Sequence, residues 1–332
     1  MLVDSRWVGK NGIGKFSSEL FSRLKGNVSG FILPISPTHP MDFLYLSWFL
    51  FRNRDKLVFS PGFNAPLIGL KHYIFTVHDL NHIDIPYNSN FFKKIYYKLI
   101  IKRACKHAYR VLTVSEFSRQ RIVEWSGANP RNVINVGNGV DKCFNLDVLP
   151  YKPGFRYLLC VSNRKEHKNE VGLIKAFASA NIESSIKLFF TGTVTEKLKI
   201  LIENIGLQER IVFGGLISDR NLPHLYKGAE GLVFPSLYEG FGLPVIEAMA
   251  CGIPVLTSNV TSLPEVAGQA ALLVDPKDEV AISEGIESLV YNDQLRTILI
   301  RKGIERARMF SWDRVADRVV SIINSAELEE KI

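Results

Sequence analysis

One stretch constrains this chain more than any other. Residues 231–234, Gly-Leu-Val-Phe, form an apolar run that feeds a turn holding Pro235, Gly240 and Gly242. From Leu243 to Cys251 the apolar spacing suits a helix, with Pro244 in its first turn and Gly252 just past its end. The expected unit is strand, glycine turn, helix, the building block of a doubly wound parallel sheet. Backbone N–H groups of Phe241, Gly242 and Leu243 at the helix start suit an anion. Glu239 lies in the turn and Glu247 about one turn into the helix, so both carboxylates can flank a ligand held there. Carboxylates repel phosphate but accept hydrogen bonds from hydroxyls, such as those of a ribose or a hexose. Phosphate plus two hydroxylated rings describes a sugar nucleotide. The same spacing also suits a purely structural turn with two solvated glutamates.

The motif E-G-F-G-L-P-x-x-E-A-M-A-x-G-x-P-V, over 239–255, resembles the signature of the large retaining glycosyltransferase family 4. That resemblance implies the GT-B fold, two doubly wound Rossmann-like α/β domains facing one another across a cleft. It also implies that Glu239 contacts the donor sugar and Glu247 the ribose, with Gly240, Phe241, Gly242 and Leu243 forming the donor turn.

Length and composition fit this. A chain of 332 residues with 46% hydrophobic and 22% charged residues predicts about two soluble globular domains. No apolar run reaches the ~18–20 residues of a membrane span. The richest, 43–51, is too short and contains Ser47. Asp4 and Arg6 follow Met1 too closely for a signal peptide. Cys105, Cys143, Cys160 and Cys251 have no metal-ligand or CxxC spacing and read as reduced thiols of a cytoplasmic protein. The net charge of +8 is unevenly placed: residues 1–150 hold 20 Lys/Arg against 10 Asp/Glu, residues 151–332 hold 21 against 23. The excess points to an anionic partner for the first half, nucleic acid or an acidic membrane surface.

Near the N-terminus, Gly9, Gly14 and Lys15 nearly spell a P-loop, but Phe16 stands where a magnesium-binding Ser or Thr is needed. Gly12 and Gly14 could also open a dinucleotide fingerprint. Ser17 then takes the third glycine's place, and the expected strand at 31–35 ends without an acid. What remains is a flexible loop at a helix start. N-G-I-G-K-F resembles the family's G-G-I-G-R-Y loop, which implies that Gly12 and Gly14 lie opposite the donor pyrophosphate. A helix is expected over 42–52, and an apolar strand at 73–80 ends in His78-Asp79. That His reads as structural, or as a ligand contact at the carboxyl end of a strand. T-V-H-D-L resembles the family segment whose His reaches the donor hexose.

Residues 90–110 are the most basic segment, with Lys94, Lys98, Lys102, Lys106 and Arg110 recurring every four residues. Phe92, Ile95, Tyr96, Leu99 and Ile100 line the neighbouring face. This predicts either a surface helix with its apolar side in the core or an interfacial helix drawn to anionic lipid. The polar, Pro-bearing stretch 145–154 reads as the linker, giving domains 1–150 and 151–308, with a closing helix over 309–332. After the strand 157–162 come Arg164, Lys165, His167 and Lys168, cations that suit a pyrophosphate. The family's phosphate-binding Arg and Lys fall on Arg164 and Lys168, with Ser162 where the family usually has Gly. The turn at Gly214-Gly215-Leu216 corresponds to the backbone that holds the nucleobase. F-S-W at 310–312 resembles the family's closing motif, where the last helix crosses back onto the first domain.

The resemblance implies an enzyme with His78, Glu239, Arg164 and Lys168 at its catalytic centre and a nucleotide-sugar donor, GDP-mannose by the likeness of V-D-S-R-W…G-I-G-K-F to makers of bacterial surface polysaccharide. The basic first half and the Lys94/Lys98/Lys102/Lys106 stripe beside Phe92, Tyr96 and Leu99 point to a lipid-linked saccharide acceptor on the inner face of the cytoplasmic membrane. The chain holds no D-x-D motif, so metal-independent chemistry with no cofactor is expected, the pyrophosphate being neutralised by Arg164, Lys168 and helix N-termini. Two other readings, a P-loop NTPase and a nucleic-acid-binding protein, lack a complete motif.

Overall fold

The computed structural model describes residues 1–9, 12–24, 28–85 and 91–329. Asn11 of the N-G-I-G-K-F loop and Asn90 at the start of the basic segment lie outside the described residues. The chain forms two compact units: Met1–Gly139 together with the chain from Ser311 on, and Val140–Phe310. Each rests on a six-stranded sheet in which every pairing is parallel. Parallel strands need crossovers, and helices supply them.

The first unit runs β1 (Leu2–Asp4), α1 (Gly12–Arg23), β2 (Ser29–Phe31), α2 (Asp42–Arg52), β3 (Val58–Ser60), β4 (Tyr73–Thr76) and α3 (Asn81–Asp84). It continues through α4 (Phe91–Tyr96), a π-helical segment (Tyr97–Ile101), α5 (Lys102–His107), β5 (Arg110–Thr113), α6 (Glu116–Ser126) and β6 (Val133–Asn135). The strand order is β2-β1-β3-β4-β5-β6. Local chemistry sets the ends. Ser115 Oγ accepts the Ser118 N–H at 3.0 Å to cap α6, and Gly127, at φ 70°, ends it. The strand expected at 31–35 stops instead at Phe31. Pro34 has no N–H to offer a ladder.

Three expectations are corrected here. Residues 90–110 do not form one regular helix, because the π-helical segment Tyr97–Ile101 shifts the face and Arg110 already belongs to β5. The core takes Tyr97, Ile101, Ala104 and Cys105, and leaves Phe92, Ile95 and Leu99 exposed. Residues 145–154 are no free linker: Tyr151 N–H donates to His224 O at 2.9 Å, His224 Nδ1 donates to Leu149 O at 2.7 Å, and the Phe144 ring packs edge-on against Tyr226. The division therefore falls at Gly139/Val140 and at Phe310/Ser311.

The chain also buries a charged cluster beside β1. Arg6 pairs with Asp4 and Asp42, both at 2.6 Å, and donates to Ile35 O at 2.9 Å. Asn64 donates to both carboxylates and accepts from Trp7 Nε1 at 2.8 Å. Burial, the largest influence, raises the Asp42 carboxyl above its usual range despite Arg6.

The second unit runs β7 (Tyr157–Cys160), α7 (Glu170–Ser179), β8 (Lys187–Phe190), α8 (Glu196–Ile205), β9 (Ile211–Phe213), α9 (Leu222–Gly228) and β10 (Gly231–Phe234). Then come α10 (Leu243–Ala250), β11 (Val255–Ser258), α11 (Leu263–Ala267), β12 (Leu272–Val274), α12 (Glu279–Tyr291) and α13 (Asp293–Ala307). Its order, β12-β11-β10-β7-β8-β9, reverses between β7 and β10. The last helix, α14 (Trp312–Glu329), packs on α1 in the first unit, where Phe16 meets Trp312 and Arg23 pairs with Asp313 at 2.6 Å. A Cβ on Gly139 would lie 2.4 Å from Trp312 N, so the crossing point requires glycine. All four cysteines are free thiols. Burial pushes the Cys105 and Cys251 thiols up to about 12, which leaves both unreactive.

Candidate active site

In an open parallel sheet, ligands bind outside the carboxyl ends of the strands where the order reverses. In the second unit that point lies between β7 and β10, and the chain puts its densest polar chemistry there. After β7 the backbone turns through Arg164 at φ 62° and Asn169 at φ 56° before α7. After β10 it turns through 235–242 into α10. Leu237 N–H donates to His167 O at 2.7 Å, tying the two turns together.

Lys168 Nζ meets Glu239 Oε1 at 2.5 Å across this junction, each side chain 12% exposed. The Phe234 ring lies 4.9 Å from the ammonium. Arg164 does something different from Lys168. Its guanidinium lies beside the stacked rings of Phe190 and Phe213, pairs with Glu170 at 2.5 Å and donates to Thr191 O. The sequence expectation puts both cations on a pyrophosphate. The structure gives Arg164 a buried acid and a carbonyl as partners, while Lys168 faces the 235–242 turn. The guanidinium contacts also hold Arg164 in a left-handed conformation that costs roughly 1–2 kcal/mol.

The donor turn is held from behind. Ser262 Oγ bonds both Glu239 O and Phe241 O at 2.9 Å, and Glu239 N–H donates to Thr261 Oγ1 at 3.2 Å. Gly242 has φ 106°, and a Cβ there would meet Leu263 at 2.6 Å, so no other residue fits. Gly242 also serves as the α10 cap and has no side chain with which to cover the first N–H groups. Phe241 is buried against Phe310, and Gly240 is buried beside it. Glu247, half-buried on α10, accepts from Tyr226 Oη at 2.8 Å. The Gly214–Leu216 turn is pinned where Gly192 N–H donates to Gly215 O at 2.7 Å, and leaves Leu216 97% exposed.

The remaining site residues sit in the first unit. Gly14 packs so close to Gly9 that a Cβ would fall 2.7 Å from its carbonyl carbon, whereas Gly12 opens α1 with free space around it. Phe16 is buried against His78, ring centroids 4.8 Å apart, so the position a P-loop needs for metal binding is a packing residue. His78 Nε2 lies 3.1 Å from Pro61 O. A carbonyl only accepts, so Nε2 carries the proton and Nδ1 is the acceptor in the neutral ring. Burial lowers the His78 pKa to about 4, against the bond to Pro61, so the ring is neutral at pH 7.

Thus Lys168, Glu239, Gly240, Phe241, Gly242, Leu243 and Glu247 gather at one switch point, and Gly14 and His78 share a second locus through Phe16. Sequence reasoning missed Tyr226, Thr261, Ser262 and Glu170. Only Ser262, ahead of Leu263-Pro264-Glu265, carries a local signal, that of a helix start. Among the described residues no cluster of three His, Cys, Asp or Glu side chains is placed to hold a metal ion. No helix among them is long and apolar enough to cross a membrane.

Two parallel doubly wound units with such a switch point define the GT-B fold. Residues 145–306 match the family model "Glycosyl transferases group 1", and residues 26–142 match "Glycosyltransferase Family 4". The chain is 30% identical over 289 residues to the O-antigen chain mannosyltransferase B of Escherichia coli, covering 83% of this chain and 76% of that protein. Among solved structures, WaaG, a glycosyltransferase involved in lipopolysaccharide biosynthesis, superposes with a TM-score of 0.76 at 14% identity over 97% of this chain and 98% of its own. Anabaena Alr3699/HepE in complex with UDP-glucose gives 0.74 at 16% identity over 98% of this chain and 99% of its own. At these identities the two structures share the fold alone. The chain belongs to glycosyltransferase family 4, and is an enzyme of the hexosyltransferase class.

Proposed function

We propose that this enzyme moves mannose from GDP-mannose to a lipid-linked saccharide acceptor in the synthesis of a bacterial surface polysaccharide. The similarity to an O-antigen chain mannosyltransferase supports the sugar and the pathway class. The UDP-glucose complex of Alr3699/HepE supports a nucleotide-sugar donor. The observation that carries the reading is the Lys168–Glu239 pair at the β7/β10 switch point, with Glu247 about one turn into α10.

In this reading Glu247, steadied by Tyr226, binds ribose hydroxyls, and the Gly215–Leu216 turn receives the base. The α10 N-terminus and Lys168 take the diphosphate, without a metal ion. Arg164 shapes the β7 loop and acts through Lys168 as a positioning residue. Diphosphate binding draws Lys168 from Glu239, which frees that carboxylate to accept from hexose hydroxyls. His78, neutral and with Nδ1 as an acceptor, serves as a further hydroxyl contact. The bond from the anomeric carbon to the diphosphate breaks, and the acceptor hydroxyl oxygen bonds that carbon on the face from which the diphosphate leaves. Its oxygen takes the acceptor's proton, so the anomeric configuration is retained without an enzyme nucleophile.

Incubation of the pure enzyme with GDP-mannose and a soluble saccharide acceptor, with chelator present, tests this by NMR of the product. An α-mannoside is expected. A β-mannoside, transfer from UDP-sugars only, or loss of transfer on chelation would contradict the corresponding part.

A further inference from the structure

A β-branched side chain crowds the backbone when φ is positive, so a threonine in that region is a genuine outlier. Among the described residues, three other than glycine have positive φ: Arg164, Asn169 and Thr261. All three border the Lys168–Glu239 pair. Arg164 and Asn169 lie on the loop that carries Lys168, and Thr261 bonds the backbone of Glu239. Asparagine tolerates the left-handed region, and Arg164 is held there by Glu170 and Thr191 O. Thr261, at φ 59°, is the residue that its own chemistry least suits to this conformation.

The turn itself calls for glycine. Asn259 N–H donates to Val274 O at 2.8 Å, and α11 starts at Leu263, so Val260, Thr261 and Ser262 must redirect the chain. Glycine would meet this φ without steric cost, but it has no hydroxyl. Thr261 Oγ1 accepts the Glu239 N–H at 3.2 Å, and Ser262 Oγ donates to Glu239 O and Phe241 O at 2.9 Å. On an extended strand two consecutive side chains would point to opposite faces. The left-handed turn at Thr261 brings both hydroxyls to one residue. Ser262 stands at the N-cap of α11 yet makes no cap bond, its hydroxyl going to the 235–242 turn instead. Glu239 needs such a clamp, because Gly240 and Gly242 just after it leave the backbone loose.

We propose that Thr261 is a positioning residue, kept in a strained conformation because its hydroxyl fixes the peptide of Glu239 and so aims that carboxylate at the donor's hexose. The proposal deepens the donor-site reading and rests on it for the hexose, whereas the clamp on Glu239 is tested apart from it. Two properties of one side chain then separate: sugar transfer follows the hydroxyl, and stability follows the β-branch.

The test compares Thr261→Ser, Thr261→Gly and Thr261→Val in the full chain. Melting temperature, GDP affinity, kcat for transfer from GDP-mannose and hydrogen exchange at the Glu239 amide are measured for each. Thr261→Gly and Thr261→Val both lose the acceptor and should lower kcat roughly 10–10²-fold, with GDP affinity changed by less than about threefold. Both should speed exchange at the Glu239 amide roughly tenfold, while the amides of β10 keep their protection. Thr261→Ser keeps the acceptor and should hold kcat and Glu239 exchange within about threefold of wild type. Thr261→Gly should nevertheless melt above Thr261→Val, since only valine keeps the crowded branch. Wild-type kcat in Thr261→Gly overturns the proposal, as does a loss in Thr261→Ser equal to that in Thr261→Gly. A kcat that simply tracks melting temperature across the set also overturns it, since Thr261 would then be structural only. Unchanged Glu239 exchange in Thr261→Gly and Thr261→Val overturns the clamp whatever the sugar donor. Faster Glu239 exchange in both, with no transfer from GDP-mannose even by wild type, would instead overturn only the proposed function.

Discussion

Two ion clusters in this chain look alike in composition and differ in what surrounds them. The Arg6 cluster of the first unit is sealed: Asp4 and Asn64 are fully buried, and Arg6 bonds two carboxylates and a carbonyl while Asn64 bridges both acids. The Lys168–Glu239 pair of the second unit is a single contact at the mouth of a glycine turn. A sealed network fixes strand ends and cannot change partners without leaving a buried charge unpaired. A single contact between two side chains, each 12% exposed, leaves its charges free to exchange partners with a ligand that brings its own charge. Structure and chemistry are thus divided between the clusters.

The division predicts opposite responses. Arg6→Ala should destabilise the protein by roughly 3–5 kcal/mol, since it strands two buried carboxylates. Lys168→Ala leaves one carboxylate unpaired where Arg6→Ala leaves two, and should cost less stability and yet cut turnover roughly 10²-fold. Comparable stability losses in both variants would erase the distinction.

His78 lies between these cases, buried but bonded only to Pro61 O among the contacts described here. Its folded pKa is about 4, against 6.5 for the free side chain. The unfolded chain therefore binds a proton first as pH falls below about 6.5, and stability drops by up to about 1.4 kcal/mol per pH unit until about pH 4. His78→Gln should flatten that part of the profile. A profile unchanged by the substitution would show that the ring is solvated.

Smaller still are the effects on nucleotide affinity. Glu247→Ala should weaken GDP binding about tenfold or more, through lost bonds to a charged acceptor. Tyr226→Phe should weaken it less, by about 1 kcal/mol, because it only loosens the carboxylate. Calorimetry with GDP would decide, and a larger loss for Tyr226→Phe would make Tyr226 itself the ribose contact.

How much of this was legible follows from the range of the interactions. The turn 235–242 and the start of α10 are written locally, in Gly242 and Pro244, and α2 begins and ends at the residues its apolar spacing marks. The approach of Thr261 and Ser262 to the 235–242 turn, and of Tyr226 to Glu247, depends on strand order, which no local pattern contains. The Arg164–Glu170 contact was not legible, because a basic loop after a strand looks the same whether or not an acid is waiting in the next helix. The 91–107 segment misled for a different reason. Its four-residue lysine repeat is real, but a π-helical segment moved the buried face by one position and put Tyr97 and Ile101 inside.

The central claim is that Lys168 and Glu239 pair in the resting enzyme and part when the donor's diphosphate arrives. Titration of GDP into Lys168→Ala and Glu239→Gln, followed by calorimetry under one buffer, tests it most directly. The account predicts opposite signs: affinity falls about tenfold or more in Lys168→Ala. It rises severalfold in Glu239→Gln, where the ammonium no longer has a competing carboxylate, even though transfer of the sugar is lost. Weaker GDP binding in both variants, or no change in either, would contradict the exchange.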